Sequence, residues 1–306
     1  MRCIFFLLFV VISQAQAQGP HFWPHWDDGK AEINSYETVI PSYGELRNGE
    51  SVLIFVTEDF SKSSQVRVNR DLPDEEVVKV LKLNHIKKFV TGSYDHSLML
   101  STFSPLTIWN QKDQDFGAIT PIKVSYSSQE WSGNYYEQLN ATSKGYRWTI
   151  HSYLEGEGDA FRTYEYKPHF FLEDDLFVRV RNQVASFMGD DYYMLTSSMY
   201  SRLQSKRPEW QRVRVSRQVQ SVALDTVLGK VEATVYNVYG SDRDYTIWVE
   251  KEFPNRILKW KIDFKSGNSF LSEESTLKSS IREPYWNQVK HEDKVVRDRE
   301  KLNPIE

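Results

Sequence analysis

Apolar and polar residues alternate with a period of two along most of this chain, which marks strands with one face drier than the other. Ile122, Val124 and Tyr126 share one face of a segment whose other face carries Lys123 and Ser125. Trp148, Ile150, Ser152 and Leu154 oppose Thr149, His151 and Tyr153. Val213, Val215, Arg217 and Val219 alternate with Arg212, Arg214, Ser216 and Gln218, and Leu258, Trp260, Ile262 and Phe264 oppose Lys259, Lys261 and Asp263. Ser51–Thr57 is apolar at nearly every position and reads as a buried strand. Turn-forming residues punctuate these segments at Gly229-Lys230, Gly240–Asp244, Pro254-Asn255 and Lys265–Asn268. Short strands joined by short polar turns predict a mostly β fold. The architecture expected is a curved antiparallel meander or half-barrel with one or two short helices.

Helical signals are few. Val77–Leu83 is β-branched and alternating, so a strand is expected there. Glu173–Met188 has acids at its start and Leu176, Val180 and Val184 at helical spacing, and is the better helix. Lys290–Glu306 is highly charged and predicts a frayed helix or an unstructured tail.

The first residues change the picture. Arg2, an apolar run from Cys3 to Ile12 and Ala15-Gln16-Ala17 follow the layout of a secretory signal peptide. The run is shorter than the ~20 residues that span a bilayer, and no later stretch approaches that length. Residues 1–17 are therefore expected to be removed, residues 18–289 to form one β-rich domain with a subdivision near 207 as the alternative, and residues 290–306 to be the tail. Cleavage at Ala17 removes Cys3, the one cysteine. The mature chain then has no disulfide, no thiolate ligand and no lipobox cysteine for a lipid anchor. An exported location follows, periplasmic or extracellular. The 38 basic and 42 acidic residues offer no attraction to nucleic acid.

Candidate chemistry is sparse. No Walker loop, dinucleotide fingerprint, G-x-S-x-G elbow or H-E-x-x-H occurs. His21, His25, Asp27 and Asp28 could hold a divalent ion, but Pro24 interrupts any helical spacing, and an aromatic segment packed on the sheet is the simpler expectation. Glu155, Glu157 and Asp159 in a glycine-rich loop, with Glu173, Asp174 and Asp175, are the carboxylates a hydrolase could use or calcium could bind. Neither a metal nor another cofactor is expected. The aromatic content is unusual, with 17 Tyr, 17 Phe and 9 Trp. Trp131, Tyr135, Tyr136, Tyr146, Trp148 and Tyr153 fall on neighbouring strands, and Trp248 and Trp260 on the C-terminal meander. These eight are the candidate lining of a ligand cleft.

Two resemblances bear on this reading. Trp23–Tyr36, Tyr43-Gly-Glu-Leu-Arg47, Gln129-Glu-Trp131 and Tyr153–Glu157 resemble an exported Bacteroidetes family of unknown function, over most of the mature chain. Its members are often labelled septum formation inhibitor Maf. Maf proteins proper carry an S-x-S-P-R-R motif near the N-terminus; here Ser101-Thr-Phe-Ser104-Pro105 lacks the arginines and lies deep in the chain, so the label does not transfer. Tyr245–Pro254 followed by Arg256–Trp260 is similar to a hairpin of LolA-type envelope half-barrels. That resemblance covers roughly residues 210–280 and implies a curved sheet around a cavity for an acyl chain. The expected function is binding of a lipid-like or other apolar ligand without catalysis. The alternatives are a secreted carboxylate-dependent hydrolase and an envelope assembly or interaction protein. Oligomeric state is open.

Overall fold

A computed structural model describes residues 21–107, 120–181, 187, 189–265 and 271–299. Residues 1–20, and with them the signal segment, lie outside the described residues, as does Lys265–Asn268 beyond Lys265. After a helical turn α1 (Phe22–Trp26), the chain runs through eight strands: β1 (Ala31–Ser42), β2 (Glu45–Ser61), β3 (Val77–Thr91), β4 (Tyr94–Pro105), β5 (Lys123–Glu130), β6 (Gly133–Ala141), β7 (Gly145–Ser152) and β8 (Ala160–Glu165). Then come β9 (Phe170–Leu172), a 3-10 turn (Glu173–Asp175), α2 (Leu176–Arg181), β10 (Asp191–Leu195) and α3 (Ser198–Leu203). A second meander follows: β11 (Trp210–Arg217), β12 (Val222–Thr226), β13 (Gly229–Tyr239), β14 (Arg243–Glu250), β15 (Ile257–Phe264) and β16 (Ser272–Glu283), closed by α4 (Lys294–Arg299).

All sixteen strands belong to one sheet, ordered β8 to β1, then β16, β15, β14, β13, β11, β10 and β9, with β12 on β13. The sheet is open and curved, and antiparallel except where β9 runs parallel to β10. Strands from both sides of residue 207 pair within it, through β1 and β16. The expected mostly β meander is therefore the observed fold. Val77–Leu83 is strand, as its alternation predicts. The Glu173 helix is shorter than expected, a 3-10 turn and then α2; residues 182–186 lie outside the described residues.

The curvature is visible in which side chains meet. Lys87 on β3 and Glu273 on β16 are three strand spacings apart in sheet order, or about 14 Å along a flat sheet at ~4.8 Å per strand. Their charged groups nevertheless approach to 2.6 Å. The two ends of the sheet also converge on the chain between them. The Tyr164 hydroxyl on β8 donates to the Pro208 carbonyl, and the Tyr146 and Phe170 rings lie 6.4 Å apart.

The concave side is filled by the described residues between 170 and 203. Thr102 and Ser104 on β4 donate to the Asp174 carbonyl and the Asp175 carboxylate, and Arg243 on β14 forks onto Glu173. Arg181 on α2 reaches Glu32 on β1, and Tyr200 on α3 reaches Lys87 and Glu273. Two apolar clusters flank this polar seam. One packs Tyr36, Phe55, Phe177, Ile247 and Trp260; the other packs Tyr126, Leu139, Trp148, Phe170 and Met199.

Candidate functional site

The eight aromatic candidates separate into two environments. Tyr135, Tyr146, Trp148 and Trp260 are buried on the concave side. Trp148 and Tyr135 both donate to the Glu137 carboxylate, Tyr146 donates to the Pro121 carbonyl, and Trp260 donates to Glu273. Their rings are spent on packing against residues of the fold. Trp131, Tyr136 and Tyr153 point to solvent, and Trp248 is half-buried under Lys259. Alternation places neighbours on opposite faces of a strand, so a dense aromatic run in sequence is divided between core and surface.

All of the candidate carboxylates except Glu155 are engaged in the same way. Glu173 accepts two bonds from Arg243, one from Tyr245 and one from the Ser197 backbone N–H. Asp174 accepts from the Ser198 backbone N–H, and Asp175 from Ser104 with Arg179 3.5 Å away. Glu157 pairs with Arg202, Asp159 with His151, and Glu155 is exposed. In the N-terminal segment Pro24 sits in the first turn of α1, where its missing N–H costs nothing. Asp27 pairs with Lys79, Asp28 with Arg282 and His25 with Glu32. Among the described residues no group of three or more His, Cys, Asp or Glu side chains is arranged to hold a metal ion.

Burial raises two of these acids towards neutrality. It pushes Asp174 up to about 7, with help from Glu173 and Glu137 and against the Ser197 and Ser198 bonds. It pushes Asp175 up to about 6 against the pull of Arg179 and Ser104. At Glu32 burial acts in the same direction, but Arg181, His25 and Asn34 overcome it and hold the carboxyl at about 2. A raised carboxyl pKa means that the folded chain keeps a proton that the unfolded chain has lost, so stability falls as pH rises through that window. The Asp174→Asn variant, which mimics the protonated acid, should therefore gain on the wild type between about pH 4 and pH 7 and stay level above. The gain is on the order of 4 kcal/mol, and urea unfolding of both chains across that range measures it.

The outer face of the sheet holds a different feature. Ile33 pairs with Ile281 on β16 and with Ile54 on β2, and Val52 pairs with Ile86 on β3. These side chains point away from Glu32, Asn34, Leu53, Phe55, His85 and Lys87, which face the filled concave side. An aliphatic strip thus crosses four adjacent strands on the face where a meander usually meets water. The segment after β16 folds back beside it, through a 3-10 turn at Tyr285–Asn287 and on to α4. Between strip and segment lies a groove of about 560 Å³, within the usual size of small-ligand sites. Lys88, Lys294 and Arg297 stand along it. None of their three side chains has a hydrogen bond or an ion pair with a described residue. Glu50, the acid at the floor's edge, is neutralised by Lys278 at 2.6 Å. Asp293 is tied to the Lys290 backbone N–H. The groove is therefore aliphatic at its base and cationic at its rim.

Sequence reasoning by aromatic density missed this groove. The available signal was Val52–Val56, apolar at all five positions, because a strand apolar on both faces needs cover on both. No family model matches the sequence, and neither a curated protein nor a solved structure matches the chain.

Proposed function

We propose that this protein is exported and binds a chain-like apolar ligand with an anionic head, such as a fatty carboxylate, in the outer-face groove, without reacting with it. The observation that carries the reading is the aliphatic floor of Ile33, Val52, Ile54, Ile86 and Ile281 beneath three cations whose side chains form no ion pair with a described residue. Each buried methylene of an acyl chain contributes ~0.8 kcal/mol, and an anionic head supplies the charge that Lys88, Lys294 and Arg297 lack. Export rests on the Arg2–Ala17 pattern alone. The absence of catalysis is supported by the engagement of Glu173, Asp174 and Asp175 in buried bonds to the fold.

Titration with a fluorescent fatty acid tests the reading. The wild type should bind saturably. Ile54→Asp, which sets a carboxylate in the floor, and Lys88→Glu, which reverses a rim charge, should each weaken binding by about tenfold or more, equivalent to ~1.4 kcal/mol. Lys88 is exposed, so its variant should keep the wild-type thermal midpoint; Ile54 packs against the buried Ala31, Ile33 and Val56, so Ile54→Asp is titrated below its lowered midpoint. Equal affinity in all three chains contradicts the site.

A further inference from the structure

The outward-facing residues of β2 cross two hollows of different character. Glu50, Val52 and Ile54 line the aliphatic groove, whereas Val56 and Glu58, next in the same row, line a second hollow of about 380 Å³. On β3, Ile86 and Lys88 belong to the groove and Lys82 to the second hollow. That second hollow is polar. Lys79 pairs there with Asp27 at 3.0 Å, and Lys82 with Glu58 at 2.9 Å. Tyr285 is the one described residue that lines both. It opens the 3-10 turn after β16, directly after Pro284, whose ring restricts the backbone there. Its ring stands edge-on to Trp286, with centroids 5.3 Å apart, and Trp286 lines only the polar hollow. The Tyr285 side chain is thus the partition between an apolar floor and a field of ion pairs.

The other end of the groove is set by charge. Glu50 and Lys88 pair across β2 and β3. Both, with Arg297, also line a smaller hollow of about 230 Å³ that holds Asp95. An anionic head is attracted to Lys88 and Arg297 and repelled by Asp95 beyond them, which holds it at the cations. From Glu50 to Phe55, which sits between Ile54 and Val56, the strand advances about 17 Å at ~3.4 Å per residue. An extended acyl chain advances about 1.3 Å per methylene, from C–C bonds of ~1.5 Å at ~111°. The stretch between the cations and the Tyr285 ring therefore takes a chain of about twelve carbons. A longer chain must leave its end in water or push it against the ion pairs of the polar hollow, at the cost of their hydration.

We propose that Tyr285 is the end stop of the groove and makes it a ruler that favours acyl chains of about twelve carbons. This rests on the acyl-ligand reading of the groove and adds to it a chain length and the residue that sets it.

Displacement of the fluorescent fatty acid from the full chain by octanoate, decanoate, laurate, myristate and palmitate, each below its micellar concentration, tests this. In the wild type, affinity should rise about fourfold per added methylene as far as laurate, then level off or fall. Tyr285→Ala should continue the rise, so that palmitate binds about tenfold or more tighter than laurate. Tyr285→Phe, which keeps the ring, and Trp286→Ala, which alters only the polar hollow, should keep the wild-type profile. Tyr285 and Trp286 are 36% and 44% exposed, so all three variants should fold as the wild type does. Affinity that climbs through palmitate in the wild type, or a profile that Tyr285→Ala leaves unchanged, overturns the ruler while the groove reading stands. So does an equal shift of the profile in Trp286→Ala. A wild type that binds neither the probe nor any of the five acids overturns the groove reading, and the ruler with it.

Discussion

Glu273→Gln should remove about 3–5 kcal/mol of folding stability, the range for breaking a buried ion pair by deleting one partner. Lys87 is fully buried, and both oxygens of Glu273 accept from its ammonium at 2.6–2.7 Å. The Tyr200 hydroxyl and the Trp260 indole N–H complete the shell of Glu273. Burial already pulls the Lys87 pKa below its ordinary value, with Glu273 holding it up. Without that carboxylate, the folded chain must carry a bare ammonium or release its proton. The sign follows: a folded-state lysine pKa driven further down makes folding costlier as pH falls from the ordinary lysine value towards the lowered one, and the cost is constant below that. The deficit of the variant should therefore be large at neutral pH and shrink above about pH 9. Lys87→Met combined with Glu273→Leu should recover most of the loss, because two apolar groups leave no charge unpaired. Urea denaturation of the wild type, Glu273→Gln and the double variant measures each difference. A single variant as stable as the wild type at pH 7 would show that the pair is not buried in solution.

Trp260→Ala should cost about 3–5 kcal/mol, as large aromatic truncations in closed cores do. The ring is fully buried, with its centroid 4.6 Å from that of Tyr36 and 4.9 Å from that of Phe177. Its N–H bond to Glu273 joins the apolar core to the Lys87 pair, so the loss exceeds that of a ring with hydrocarbon neighbours alone. This variant also separates two accounts of ligand binding. If Trp260 only supports the fold, the chain studied below its lowered midpoint binds the fatty-acid probe as the wild type does. Reduced affinity at full folding would return Trp260 to the binding site.

Much of the fold was legible because alternation reports burial directly. Leu258, Trp260 and Ile262 face the core as their spacing predicts, and so do Ile122, Val124 and Tyr126. Alternation cannot report which wet-looking residues are buried with a partner. Lys87 and Lys88 are neighbours of the same type, yet one is sealed inside the sheet and the other stands at the groove. The difference comes from Glu273, 186 positions away. The same limit applies to Arg243 and Glu173, which read as surface charges until curvature brings β14 over the Glu173 turn. The aromatic run was legible as content but not as location. Tyr135 and Tyr136 are adjacent in sequence and lie on opposite faces of β6. The half-barrel expectation described the sheet's curvature but not its contents. The acidic start of the expected helix folds as a 3-10 turn whose three carboxylates anchor to Arg243, Ser198 and Ser104, filling the hollow with the chain itself.

Native mass spectrometry of the protein purified from its own source tests the central claim most directly. The account predicts a co-purifying species with the mass of an acyl chain bearing an anionic head, at no more than one per chain, absent from Ile54→Asp and retained by Trp131→Ala. A wild-type chain that carries no such ligand and takes up none from a fatty-acid mixture would contradict it.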